Sequence, residues 1–95
     1  MARYIALIKF TEKGAREIKK STARAHSFNQ AAAKSGVKIE SQYWTVGRFD
    51  GVLILSADQE KQALHCLAEL AAEGAVQTQT MSAYTDKEFE AIVGK

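Results

Sequence analysis

Two short runs of this chain, Tyr4-Ile5-Ala6-Leu7-Ile8 and Val52-Leu53-Ile54-Leu55, contain no polar spacer other than the tyrosine hydroxyl. Unbroken apolar runs of this length read as strands covered on both faces, and they predict a first strand over Arg3 to Phe10 and a third over Val52 to Ala57. A second strand, Val37 to Val46, alternates instead. Val37, Ile39, Ser41, Tyr43 and Thr45 are expected on one face and Lys38, Glu40, Gln42, Trp44 and Val46 on the other. A fourth runs from Val76 to Tyr84, and its Gln77-Thr78-Gln79-Thr80 stretch is polar on both faces, as an edge strand tolerates. Between the first and second strands, Ala15, Ile18, Ala25, Phe28 and Ala32 follow helical spacing over Glu12 to Ser35. Gly14 and the Lys20-Ser21-Thr22 step are weak helix formers and predict a kink or two shorter helices. Gly36 is placed as a glycine just past a helix end. After the third strand, Asp58 is suited to cap a helix whose buried stripe is Ala63, Leu64, Leu67, Ala68, Leu70 and Ala71, with Gly74 ending it. Thr85 and Glu88 form a capping box that opens a last short helix with Phe89, Ile92 and Val93 on one side.

The resulting order is βαββαβ plus a terminal helix, the ferredoxin-like α+β plan. It predicts a sheet in the order 4-1-3-2, with the two apolar strands in the centre. Both long helices then cover one face of the sheet. The other face leaves large side chains of the first and third strands in water, and a patch of that kind marks an interface or a groove. Dimerisation through the open face is the simplest expectation, with higher homo-oligomers open through the polar edge strand.

Two turns compete in Tyr43-Trp44-Thr45-Val46-Gly47-Arg48-Phe49-Asp50-Gly51. Asp50-Gly51 is a strong hairpin signal, but Gly47-Arg48 suits a type II′ turn and lets the whole second strand pair. The second choice pairs Val46 with Phe49, Trp44 with Gly51 and Lys38 with Ala57. It lays the Trp44 ring over a bare strand glycine and puts Tyr43, Thr45 and Asp50 on one face. This segment resembles the signature of the GYD domain family, named for a Gly-x-Tyr-Asp pattern, which here reads Gly47-Arg48-Phe49-Asp50 with Phe in place of Tyr. Tyr4-Ile5-Ala6-Leu7-Ile8-Lys9-Phe10 and Tyr84-Thr85-Asp86-Lys87-Glu88-Phe89 extend the resemblance over most of the chain. It implies the dimeric α/β-barrel superfamily, in which two ferredoxin-like sheets pack face to face. It implies no particular activity.

Composition narrows the picture only a little. Residues 1–95 make one domain, which buries roughly 60–70% of the surface its unfolded chain exposes. A net charge of +2 does not argue for nucleic acid, and the single cysteine rules out an internal disulfide framework. The apolar run at the N-terminus is too short for a signal core or a membrane span, so a cytoplasmic protein without a membrane partner is expected. Lys13, Arg16, Lys20 and Arg24 fall on one side of the first helix, but Glu12 and Glu17 interrupt them and no aromatic stacking pattern accompanies them. A solvated helix face is the expectation.

Tyr43, Trp44, Thr45, Arg48 and Asp50 are the candidate ligand-binding residues. Asp50 is the candidate catalytic group, a general base or an anchor on one reading and a turn residue accepting backbone N–H groups on the other. Arg48 suits an anion or plain solvation at a hairpin tip. His26 and His65 lie in no metal-ligand spacing, so no metal is expected. Cys66 is expected to pack as a small hydrophobe. No glycine-rich phosphate loop or nucleophile elbow is present, so no cofactor is expected. Three readings stay open: a homodimer binding a small molecule between sheet and helices, a cofactor-independent monooxygenase or isomerase of the same superfamily, and a structural or regulatory dimer without ligand.

Overall fold

A computed structural model describes residues 1–94. The order is β1 (Ala2–Phe10), α1 (Glu12–Arg16), a 3-10 turn (Ile18–Lys20), α2 (Ser21–Lys34), β2 (Val37–Trp44), β3 (Gly51–Ala57), α3 (Glu60–Ala72), β4 (Val76–Ser82) and α4 (Asp86–Val93). The four strands form one antiparallel sheet in the order β2-β3-β1-β4. The apolar strands β1 and β3 are therefore central, as the hydrophobic pattern requires.

The first helical segment divides into α1, the 3-10 turn and α2, with α2 starting at the Lys20-Ser21 step and Gly14 lying inside α1. Thr11 caps α1 by accepting the Gly14 N–H at 3.2 Å, and Gly36 follows α2 at φ +80°. Ala15 and Ile18, expected in the apolar stripe, are exposed. Gly14 is the buried residue of that turn, because the backbone of Ala75 lies against it.

Tyr4, Ala6, Leu53, Leu55 and Ala57 of the central strands form one core with Phe28 and Ala32 of α2 and Ala63, Cys66 and Leu67 of α3. Two expectations for α3 are corrected. Gln59 rather than Asp58 stands at the cap, its N–H donating to Gln62 Oε1 at 3.0 Å. Leu64, Ala68 and Ala71 are exposed, whereas Cys66 is buried. The helix is thus rotated so that Ala63, Cys66, Leu67 and Leu70 form the inward stripe. Burial pushes the Cys66 thiol above its ordinary pKa, with a smaller contribution from Glu69.

The β2–β3 ladder pairs Trp44 with Gly51, Tyr43 with Val52 and Gln42 with Leu53, as expected from a turn beyond Trp44. At the far end it pairs Val37, not Lys38, with Ala57, because the register shifts between Ile39 and Ser41. One extra residue, Glu40, stands in a bulge there. A one-residue shift swaps the faces of everything beyond it. Val37 and Ile39 face the helices with Ala57 and Leu55, but Tyr43 turns to the open side with Val52 while Gln42 and Trp44 turn inward. The simple alternation expected for this strand is corrected accordingly.

The chain closes the hairpin through the Thr45 N–H, which donates to the Asp50 carbonyl at 2.9 Å. Val46 and Phe49 lie outside the strands. Gly47 takes φ +139°, a conformation that glycine reaches freely. No atom of Trp44 lies within 4 Å of the position a Gly51 Cβ would take; the nearest are the Tyr43 carbonyl oxygen at 3.0 Å and the Ile8 Cβ at 3.8 Å. The aromatic cover expected over that glycine is therefore absent.

On the side away from α2 and α3, the register brings Ile5 and Leu7 beside Ile54 and Val52, flanked by Tyr43 and Met81. Tyr43 and Met81 are exposed and the other four half-buried. Among the described residues no helix is long and apolar enough to cross a membrane.

A candidate ligand cleft at the hairpin end of the sheet

Where α2 begins and the hairpin ends, the helix and sheet layers part. Ile8, Phe10, Ala25, Phe28, Leu70 and Val76 line the opening with apolar surface, and Trp44 and Gly51 form its hairpin end. The cleft has a volume of about 80 Å³ and opens to solvent on one side. Sequence composes it simply. Gly51 contributes no side chain, and Ala25 stands one helical turn from Phe28, so two small residues leave room that larger ones would fill.

Ser21, Arg24, Gln42, Asp50 and Glu73 supply the polar part of the lining. Three of them already have partners. Gln42 and Asn29 exchange two amide hydrogen bonds, each 3.0 Å, which tie β2 to α2. Arg24 is paired with Glu17, and that hydrogen bond, ahead of the positive charges nearby, holds the Glu17 carboxyl below its usual range. Asp50 Oδ2 accepts the Phe10 N–H at 2.8 Å while the Asp50 N–H donates to the Ile8 carbonyl at 2.8 Å. The carboxylate thus takes the place of a missing strand partner, because β3 begins only at Gly51 and has no residue to pair with Phe10.

That geometry sets an expected result. Asp50→Ala leaves a half-buried N–H unpaired and should cost about 1.5–3 kcal/mol, the usual range for a hydrogen bond to a charged group. Asp50→Asn keeps an acceptor oxygen at the same reach and should cost less than about 1 kcal/mol. Urea unfolding of both variants checks this; equal losses would show that the charge, not the acceptor, holds the strand end.

The other candidate residues separate. Tyr43 lines the cleft edge, but its register with Val52 turns its side chain to the open sheet face, opposite to Gln42 and Trp44. Thr45 donates its hydroxyl to the Phe49 carbonyl at 2.7 Å and so braces the turn. Arg48 is exposed at the tip, where its carbonyl accepts from Lys9 Nζ at 3.1 Å. Only Trp44 and Asp50 meet at the cleft with their side-chain faces. Phe28, Ala25, Ile8 and Leu70 were legible only as core positions, since a cleft wall and a core stripe share one helical period. The amide pair of Asn29 and Gln42 had no signal in sequence, because the Glu40 bulge brings Gln42 to that face.

Three of the four basic residues named in the first helical segment have partners. Arg16 meets Glu12 at 3.3 Å, Arg24 meets Glu17, and Lys13 donates to the Glu73 carbonyl at 3.1 Å. Among the described residues, no three His, Cys, Asp or Glu side chains gather as a metal ion would need.

A family model described as the GYD domain matches residues 4–93. The chain is 30% identical over 84 residues to a protein of Thermus thermophilus named glutamine synthetase and cystathionine beta-lyase binding protein, covering 87% of this chain and 88% of that one. Among solved structures, FFRP-DM1 superposes with a TM-score of 0.60 at 17% identity, over 88% of this chain and 100% of that one. TTHA0845, also from Thermus thermophilus, gives 0.58 at 16% identity, over 90% of this chain and 95% of that one. At these identities the structures speak for the ferredoxin-like fold, and for nothing further.

Proposed function

The chain belongs to the GYD domain family, and from that premise we propose that it is a homodimeric binding protein that takes a small, largely apolar molecule into the cleft between α2 and the hairpin end of the sheet. The observation that carries this reading is the cleft itself, an opening with apolar walls whose polar lining is mostly spent on internal partners. Gln42, Asp50 and the Arg24–Glu17 pair offer a ligand few unsatisfied groups, so recognition rests on shape and apolar contact. Arg24 keeps donors beyond the one given to Glu17, because a guanidinium carries five N–H groups. The ligand class is therefore an aromatic or branched aliphatic body with one carbonyl or carboxylate toward Arg24.

Size limits the class further. An apolar cavity that holds benzene measures about 150 Å³, so a ligand of that size must reach out through the open side toward Trp44. Trp44 and Asp50 would form its hairpin border, whereas Tyr43 belongs with the open face. That face, with Ile5, Leu7, Val52 and Ile54, joins two copies of the chain.

The test is a panel of small aromatic acids, branched aliphatic acids and their amides scored by thermal shift. A molecule that binds the native state raises the melting temperature with concentration. Wild type is expected to respond to at least one class, and Ala25→Phe, which fills the cleft, to lose that response. Equal responses in both proteins would rule the cleft out as the binding site.

A second reading follows from the Thermus relative, whose name describes a protein that binds two enzymes. On that reading the dimer is an adaptor for enzymes, and cleft occupancy tunes the contact.

A further inference from the structure

The last helix is short, apolar on one side, and unsupported. Phe89, Ile92 and Val93 of α4 each leave more than half of their surface in water, as does Tyr84 just before it. An eight-residue helix is marginal in water when nothing packs against its apolar side. Yet its start is firmly fixed. Thr85 and Glu88 form a complete capping box, and Glu88 Oε1 accepts both the Thr85 N–H at 2.7 Å and Arg3 Nη1 at 2.9 Å. Those two bonds, the backbone one first, hold the Glu88 carboxyl below its usual range. Arg3 pairs in register with Ser56 and so belongs to the open face of the sheet. The tie from Arg3 to Glu88 brings the root of α4 to that same side, and the Ala83 N–H adds a bond to the Arg3 carbonyl at 2.9 Å.

We propose that α4 is an arm that grips a second copy of this chain, completing an interface that the open sheet face begins. The inference rests on the homodimer reading given above. Area argues for this occupant. Four strands of 9, 8, 7 and 7 residues, about 4.8 Å apart and rising about 3.3 Å per residue, present roughly 500 Å² in plan. A specific interface buries roughly 800 Å² on each partner. The sheet face alone falls short by more than a third, and the apolar side of α4 with Tyr84 is the neighbouring surface able to extend it. Charge agrees with self-association. Asp86 and Glu90 flank the apolar side of α4, and Lys9 and Lys38 stand on the open face by their register with Gln77 and Ser56. An acidic arm meeting a basic sheet face suits two identical partners related by a two-fold axis, each supplying both halves of the contact.

Sedimentation velocity of the full chain over a range of concentrations tests this, with wild type beside Ile92→Asp and Phe89→Asp. Wild type should be dimeric at micromolar concentration, and each variant should dissociate at least about 30-fold more readily with its circular dichroism unchanged. A dimer equally tight in wild type and both variants overturns the arm and leaves the homodimer standing. A monomeric wild type overturns both. Should an aspartate disturb the fold, Ile92→Ser decides between the same outcomes, with a smaller weakening expected of the arm.

Discussion

Gly14→Ala should destabilise the protein by about 2 kcal/mol, although alanine is the better helix former. A Cβ on Gly14 would stand 2.0 Å from the Ala75 carbonyl oxygen and 3.1 Å from its carbon, and both atoms are backbone. That oxygen is held in place, since it accepts the Thr11 N–H at 3.1 Å, and the Thr11 hydroxyl donates to the Gly74 carbonyl beside it at 2.6 Å. The junction between β1 and α1 is thereby fastened to the junction between α3 and β4. Relieving the overlap means pulling those segments apart, and forced overpacking costs about 1–3 kcal/mol. Helix propensity alone predicts the opposite sign, a gain of up to about 1 kcal/mol. Urea unfolding at constant slope separates the two, and a midpoint that rises on substitution would show that the close approach is not rigid.

Leu7→Asp should break the proposed dimer while sparing the fold. Leu7 pairs with Val52 on one side and Gln79 on the other, so it stands near the middle of the open face. Its side chain points away from the core of Leu53, Leu55 and Phe28. In a lone chain the aspartate would meet water and cost little. In a face-to-face dimer it would be an unpaired charge between two apolar layers, which interfaces do not accommodate. A dissociation constant raised at least about 100-fold is expected, equivalent to about 2.7 kcal/mol. Sedimentation equilibrium reads it directly, and an unchanged constant would place the contact elsewhere.

The sheet order was legible because two strands lacked polar positions and two did not, and that difference assigns centre and edge before any contact is known. The break in the first helical segment was legible from Lys20-Ser21-Thr22, whereas Gly14 lies inside α1. The last helix was legible from a capping box, whose residues act locally. What stayed hidden depended on contacts between distant segments. The Glu40 bulge carries no local mark, yet it decides that the side chain of Trp44 rather than that of Tyr43 turns to the helix side. The Asp50–Phe10 bond arises because β1 outlasts β3, a matter of relative strand length. The rotation of α3 toward Cys66 and away from Leu64 follows from packing, since both choices fit a helical period. The cleft is a shortfall of packing among residues that individually read as core.

Whether a ligand enters that cleft can be read from inside it. Trp44 is the chain's single tryptophan and stands at the cleft's hairpin border. Amide NMR spectra with its indole N–H as a marker, titrated with a small aromatic acid selected by thermal shift, give the decisive measurement. The expected shifts saturate, fall on Ala25, Phe28, Trp44 and Gly51, and vanish in Ala25→Phe. Saturable shifts confined to the open sheet face or to α4, with these four residues unmoved, would contradict binding in the cleft.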